Sequence, residues 1–460
     1  MADTIAAIAT ALGNSGISII RISGDDAFSI IEKMFIPKNE SFSVRNVKSH
    51  TIHYGVINEN EKVIDEVLVS FMKAPNTYTT EDIVEINCHG GIIVTKKILD
   101  LCIKNGARPA KPGEYTERAF LNGRIDLSQA EAVIEVINAK NKNALNTAVC
   151  QLRGNISERI KDLREKILYN IAFIESVLDD PEHLSFDGYE ERLRNDMNVV
   201  REEIHTLVSN AENGRMITEG IRTVILGKPN AGKSSFLNAL MGEERAIVTD
   251  IEGTTRDTLE ETINLAGISL NIVDTAGIRE TEDIIEKIGI EKAISASETA
   301  DLIIYIVDGS KPIDNNDKII LNMIKDRKSI ILINKIDLDV DNNKVKAEIQ
   351  SEMEKAIILD ISAKEFIGLD KFTEVIKDMF FKGDINYNDE VYITSLRQKA
   401  NLEKALHSIE MVINAIDDGM PEDFYSIDLS VAYEELGFII GESVEDDLVD
   451  KIFREFCTGK

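Results

Sequence analysis

Gly227-Lys228-Pro229-Asn230-Ala231-Gly232-Lys233-Ser234 is the stretch on which the reading of this chain turns. It has the form G-x-x-x-x-G-K-[ST], the phosphate-binding loop. The apolar run Ile221 to Leu226 before it reads as a buried strand. Ser235 to Met241 after it has helical spacing through Phe236, Leu237 and Leu240. Between strand and helix, Gly227 and Gly232 let the backbone bend so that successive N–H groups, those of Ala231, Gly232 and Ser235 among them, turn toward phosphate oxygens. The helix N-terminus adds partial positive charge. Lys233 brings a full charge to the terminal phosphates, and the Ser234 hydroxyl is a ligand for Mg²⁺.

Further motifs follow in order, each after a strand-like run. Asp274-Thr275-Ala276-Gly277 comes after Leu270 to Val273. Asp274 would hold the metal through water, and Gly277 would turn its N–H to the γ-phosphate. Asn334-Lys335-Ile336-Asp337 follows Ile330 to Ile333. A carboxylate at Asp337 accepts two hydrogen bonds from guanine N1–H and the exocyclic amine, a donor pair that adenine lacks. Ser362-Ala363-Lys364 follows Ala356 to Leu359 and would close over the base. Thr254-Thr255 supplies a second hydroxyl for Mg²⁺. Together these predict a domain that binds GTP and GDP.

The chain has 460 residues, enough for roughly two to four domains. A net charge of −29 argues against non-specific nucleic-acid binding through the bulk surface. Any RNA contact must use a local basic patch or a partner's surface. The four cysteines, Cys88, Cys102, Cys150 and Cys457, form no C-x-x-C pair and read as reduced thiols. With no secretion signal and no apolar run long enough for a bilayer, the expectation is a cytoplasmic protein without a membrane.

Residues 1–120 alternate short strand-like runs (Ile17 to Ile22, Val67 to Met72, Ile83 to Asn87) with short helices such as Lys96 to Lys104, and read as an α+β domain. From Asp126 the period changes. Leu127, Ala130, Ile134 and Ile137, then Leu145 through Leu178, recur at helical spacing, and Asp180-Pro181 stops the pattern. A further helix is expected from about Glu190 to Glu212, capped by Asn213-Gly214. Helical spacing returns from Leu396 to Ile416, around Leu429 to Leu436, and around Val444 to Phe456, where Ser443-x-x-Asp446 has the form of an N-cap. The expected layout is multidomain. An α+β domain (1–120) precedes the first half of an all-α domain (121–217). An inserted α/β Ras-like G domain (218–380) is followed by the second helical half (381–460).

Hydrolysis needs a polarised water. Where Ras-type GTPases carry Gln after Asp-x-x-Gly, this chain has Ile278, so another group must act. Glu280, Glu282, Asp283 and Glu286 stand downstream as candidates, though taken singly each reads first as a solvated loop charge. The side-chain oxygen of Asn230 can ligate a monovalent cation beside the phosphates, or simply bond the loop backbone. Thr249-Asp250-Ile251-Glu252-Gly253-Thr254 can wrap such an ion with carbonyls. A cation there stands where an arginine finger would, a role worth roughly 10³–10⁵ in rate.

The whole chain resembles the MnmE (TrmE) family of tRNA-modification GTPases. The residues that carry the likeness are Arg21-Ile22-Ser23-Gly24, Val84 to Gly91, Pro112 to Asn122, Gly253-Thr254-Thr255-Arg256-Asp257, Asp274 to Glu280, and the terminal Phe456-Cys457-Thr458-Gly459-Lys460. The resemblance implies a K⁺-stimulated GTPase. With an MnmG-type flavoprotein, in a heterotetramer, it would place a (carboxymethyl)aminomethyl group on C5 of the wobble uridine of certain tRNAs. It implies an N-terminal domain that dimerises and binds a tetrahydrofolate derivative (5-formyl or 5,10-methylene) through Arg21, Glu85, Arg124 and Lys460. Arg124 stands where the family often has Lys; the charge is kept and the geometry changed. Asn230, Thr249, Ile251 and Thr254 match the potassium ligands, Ser234 and Thr255 the magnesium ligands. Glu286 matches the residue that orients water, and Cys457 one proposed to take part in the modification chemistry. Without the likeness, the motifs would equally suit a GTP-gated RNA or ribosome-assembly switch with no modification chemistry.

Overall fold

The structure, a computed structural model, describes residues 3–39, 41–180, 183, 185–243, 260–265, 267–273, 298–338, 342–381 and 391–442. The chain divides into two compact units. Met1–Ile134, Gln151–Val200 and Lys404–Lys460 form one; Glu135–Cys150 and Arg201–Glu403 form the other. Among the described residues no helix is long and apolar enough to cross a membrane.

The first unit is built on a sheet of β1 (Ile5–Ile8), β2 (Ser15–Ser23), β3 (Phe35–Pro37), β4 (Thr51–Glu59), β5 (Lys62–Met72), β6 (Ile83–Gly90) and β7 (Arg108–Pro109), in the order β3-β4-β5-β6-β2-β1-β7. Period-two alternation sends Ile20 and Ile22 of β2, Val67, Val69 and Phe71 of β5, and Val84 and Ile86 of β6 into one core. The helix Ile92–Lys104 closes that core with Ile98, Leu101 and Cys102. The intervening residues point the other way. Register pairs Arg21 directly with Glu85, and the helix Glu114–Leu121 brings the buried Tyr115 onto this side.

The same unit holds the helices Asn155–Asp179 and Glu422–Ile440. They are fastened by Arg164, whose Nε donates to the Tyr433 carbonyl at 3.2 Å, whose guanidinium lies 3.9 Å from the Tyr433 ring centroid, and which pairs with Glu442.

The second unit carries a sheet of β8 (Ile221–Gly227), β9 (Glu260–Leu265), β10 (Ile268–Val273), β11 (Leu302–Asp308), β12 (Ser329–Asn334) and β13 (Ile357–Asp360), in the order β13-β12-β11-β8-β10-β9. All pairs are parallel except β9–β10. A parallel sheet is covered on both faces, so its strands are apolar throughout. Leu302, Ile304 and Ile306 face one core with Phe236 and Phe372, while Ile303, Tyr305 and Val307 face the other with Leu321 and Ile349. Chain order reverses at β8, which neighbours both β10 and β11. Ligands of such sheets bind at the carboxyl ends of the strands beside that switch.

Two sequence expectations change. The helical spacing after Asp126 resolves into Leu127–Asn138, Lys142–Leu152 and Asn155–Asp179, with Asn141 Oδ1 accepting the Ala144 N–H at 2.7 Å to start the second. Asn213-Gly214 is no cap: the helix Tyr189–Thr218 runs through it. A Cβ on Gly214 would lie 2.1 Å from the Ile393 carbonyl oxygen, so glycine is needed there for close approach. The helix expected over Val444 to Phe456, with its Ser443 start, lies outside the described residues.

Candidate functional site

The phosphate loop joins β8 to the helix Lys233–Glu243, which begins two residues before the expected Ser235. Gly232 has φ +101°, and a Cβ there would stand 2.0 Å from Asn334 Nδ2. That closeness comes from Asn334 bridging two loops. Asn334, 3% exposed at the end of β12, donates from Nδ2 to the Ala231 carbonyl at 2.9 Å and accepts from the Ala363 N–H at Oδ1 at 3.1 Å. Asn334 therefore staples the phosphate loop to the Ser362-Ala363-Lys364 loop, a positioning role that its motif alone does not disclose.

Lys233 Nζ donates to the carbonyls of Gly227 (2.5 Å) and Lys228 (2.9 Å). Burial holds its pKa below the usual lysine value, and no carboxylate is among its hydrogen-bond partners in the described residues. A half-buried ammonium whose partners among the described residues are carbonyls is poised for an anion. Ser234, Ser235 and Asn230 stand exposed around it, Asn230 at φ +61°. The donor set fits a nucleoside polyphosphate, with Lys233, the loop N–H groups and the helix N-terminus for its phosphates and the Ser234 hydroxyl for Mg²⁺.

At the base end, Ser362 is fully buried and donates from Oγ to Asp337 Oδ1 at 2.7 Å. That bond holds the exposed Asp337 carboxyl below the usual aspartate range. The Ser362 bond also fixes the orientation of the carboxylate beside the Ser362–Lys364 loop. Lys335, at φ +69°, donates to Asp308 Oδ2 at 2.7 Å. Burial alone would raise the Asp308 pKa; Lys335 and Ser310 hold it low instead. Lys364 is exposed and paired with Glu365 at 3.4 Å.

A second cluster lies in the first unit. Arg21 donates from Nε to Glu85 Oε1 at 2.8 Å, and Tyr115 Oη donates to the Arg21 carbonyl at 2.7 Å. The ring of Tyr78 has the Arg21 guanidinium 5.8 Å and the Arg124 guanidinium 4.8 Å from its centroid, and Arg124 also donates to the Tyr78 carbonyl at 3.2 Å. Arg21, Glu85 and Arg124, far apart in sequence, thus meet around one aromatic ring. Tyr78 was missed by the sequence reading. Its only signal is an aromatic within the Pro75-to-Asp82 loop between two strands.

Beneath this cluster Arg118 donates to Glu81 and Glu114, and Arg108 pairs with Glu114 and Asp3. Hydrogen bonds from Arg108 hold Asp3 down at about 2. Cys88, Cys102 and Cys150 are free thiols; burial pushes Cys88 up, and Cys102 up to about 12. Thr249, Asp250, Ile251, Glu252, Gly253, Thr254, Thr255, Asp274, Thr275, Ala276, Gly277, Glu286, Cys457 and Lys460 lie outside the described residues.

Comparison with known proteins gives full-length matches. A family model described as the MnmE helical domain matches residues 127–457, and one described as the GTP-binding protein TrmE N-terminus matches residues 4–124. The tRNA modification GTPase MnmE of Lachnoclostridium phytofermentans is 56% identical over 458 residues, covering 100% of this chain and 99% of that protein. The protein of the same description from Acetivibrio thermocellus is 50% identical over 460 residues, again covering 100% and 99%. Among solved structures, Era in complex with MgGDPNP and 16S ribosomal RNA is 29% identical, covers 41% of this chain and 66% of that chain, and has a TM-score of 0.28.

Proposed function

The chain belongs to the MnmE (TrmE) family, and from that premise we propose that it is a GTP hydrolase that serves tRNA modification. The observation that carries the nucleotide half of the reading is the Asn334 staple. One buried amide ties the phosphate loop to the Ser362–Lys364 loop, with Asp337 aimed by Ser362. Lys233 would bind the terminal phosphates and the loop N–H groups would orient them. Asp337 would select guanine. Ser234 and Thr255 would hold Mg²⁺, which would supply positive charge against the phosphates. We assign a K⁺ ion to Asn230, Thr249, Ile251 and Thr254, with Glu286 orienting the attacking water. These assignments rest on the motif match and on the exposed, left-handed Asn230.

The Arg21–Glu85–Arg124–Tyr78 cluster is read as the pocket for a tetrahydrofolate derivative. A carboxylate suits the amino-amide edge of a pterin, and two guanidinium groups suit the carboxylates of its tail. Lys460 and Cys457 would complete this site in a homodimer. With a flavoprotein of the MnmG type, in the cytoplasm, the pair would install the 5-substituent on wobble uridine. The supplied one-carbon unit and the nucleotide cycle are separate demands, and the two clusters answer them separately.

The test is nucleoside mass spectrometry of tRNA from a strain lacking this chain. Complementation with the full chain should restore 5-substituted wobble uridine, and complementation with Lys233→Met or Arg21→Ala should not. Unchanged nucleosides in the deletion would remove the modification role and leave a GTP-gated RNA switch.

A further inference from the structure

Asn141 is buried, and both ends of its amide are engaged. Nδ2 donates to the Ile217 carbonyl at 3.2 Å and to Ser269 Oγ at 2.9 Å, while Oδ1 takes the Ala144 N–H. Ser269, fully buried, donates in turn to Asn264 Oδ1 at 3.1 Å, and Asn264 Nδ2 donates to the Lys140 carbonyl at 2.7 Å. A buried network satisfied at every member holds one geometry. What it holds is the hairpin β9–β10, gripped near its turn. Thr255 stands five positions before Glu260, the first residue of β9, and Asp274 directly follows Val273, the last of β10. One hairpin therefore connects the two segments expected to sense the γ-phosphate.

We propose that Asn141 is a positioning residue for GTP turnover, acting through Ser269 and Asn264 on the β9–β10 hairpin. It is not a nucleotide contact, and the proposal rests on the GTPase reading above. The hairpin is fixed along β10 by pairing with β8 from Leu270 to Ile272, and at its turn end by the Asn141 network. Removing the network leaves the first restraint and loosens the second, so the two strands that lead to Thr255 and Asp274 in sequence lose a common anchor. Among the described residues the network's hydrogen bonds reach neither the phosphate loop nor the Asn334–Asp337 and Ser362–Lys364 loops. GDP binding should be spared while turnover falls, since misplacing reacting groups by about 1 Å can cost about 10²-fold in rate.

The test compares the full-length chain with Asn141→Ala, Ser269→Ala and the double variant, reading GTP turnover and the affinity of a fluorescent GDP. Each single variant should lower kcat five- to tenfold with GDP Kd within twofold of the parent. The double should be no worse than the singles, because both break one connected chain of hydrogen bonds to the hairpin. Ser269→Ala deletes one hydroxyl and decides the matter if Asn141→Ala fails to fold. Turnover within twofold of the parent in Ser269→Ala, multiplying losses in the double, or an equal loss of GDP affinity would overturn the proposal. A parent chain without GTP turnover would overturn the GTPase reading along with it, and that failure is told apart by the parent's own inactivity.

Discussion

Lys233 shows what the nucleotide site asks of a single side chain. Its folded pKa lies below its unfolded one because burial disfavours the charge. The unfolded chain then holds the proton more tightly, so this group opposes folding until the pH rises past both values, or until an anion arrives. Lys233→Met should therefore leave the melting temperature of the nucleotide-free chain equal or higher. Nucleotide affinity should fall roughly 10- to 100-fold, from losing charge-assisted bonds of about 1.5–3 kcal/mol each. A nucleotide-free variant that melts lower would contradict this account of the site. Glu114 has the opposite sign. Burial would raise it, but Arg108, the Lys111 N–H and Arg118 pull it below the usual glutamate value. Its contribution is complete above about pH 4.5 and is lost as the pH falls through its lower folded value. Glu114→Gln, leaving Arg118 short of a buried partner, should cost about 3 kcal/mol at pH 7 in urea unfolding, and the gap to the parent should close toward pH 2. At this scale Lys233, Ser234 and Asp337 were legible as candidates, from spacing alone. The structural job of Asn334 and the ring of Tyr78 were not, because each depends on which distant loop lies against it.

At the scale of elements, period and run length forecast four strands of the second sheet, Ile221–Gly227, Ile268–Val273, Ser329–Asn334 and Ile357–Asp360, and left Glu260–Leu265 and Leu302–Asp308 unnamed. Parallel strands buried on both faces announce themselves as unbroken apolar runs. What spacing could not separate is glycine for a turn from glycine for contact, which is why Gly214 reads as a cap and proves to lie inside a helix. The distinction has a measurable consequence. Alanine is favoured over glycine in a helix by about 1 kcal/mol. At position 214 that gain meets a collision with the Ile393 carbonyl, which no side-chain rotation relieves. Gly214→Ala should therefore destabilise the chain by about 1–3 kcal/mol, read as a lower urea midpoint. A midpoint equal to or above that of the parent would mean that the helix and the 391–395 segment separate easily.

The whole molecule sets a constraint that neither scale below it reveals. A chain of net charge −29 is asked to act on tRNA, itself a polyanion. Its bulk field opposes the encounter, so the basic surface must come from a partner or from a local patch. The layout was legible because each unit writes its own period: two in the first sheet, about 3.6 in the helices, unbroken apolar runs in the second sheet. The split of the chain into Met1–Ile134, Gln151–Val200 and Lys404–Lys460 on one side, with Glu135–Cys150 and Arg201–Glu403 on the other, was not, since no local pattern marks where long helices pass between units. We propose that this molecule turns over GTP at a site completed by a cation instead of a protein arginine. The most direct measurement is the rate of GTP hydrolysis by the full chain with Mg²⁺ in matched potassium and sodium chloride, with ATP as the control. The account predicts guanine-specific turnover that is roughly tenfold or more faster in potassium, within the range an arginine finger provides. Equal rates in the two salts, or ATP consumed as readily as GTP, would contradict it.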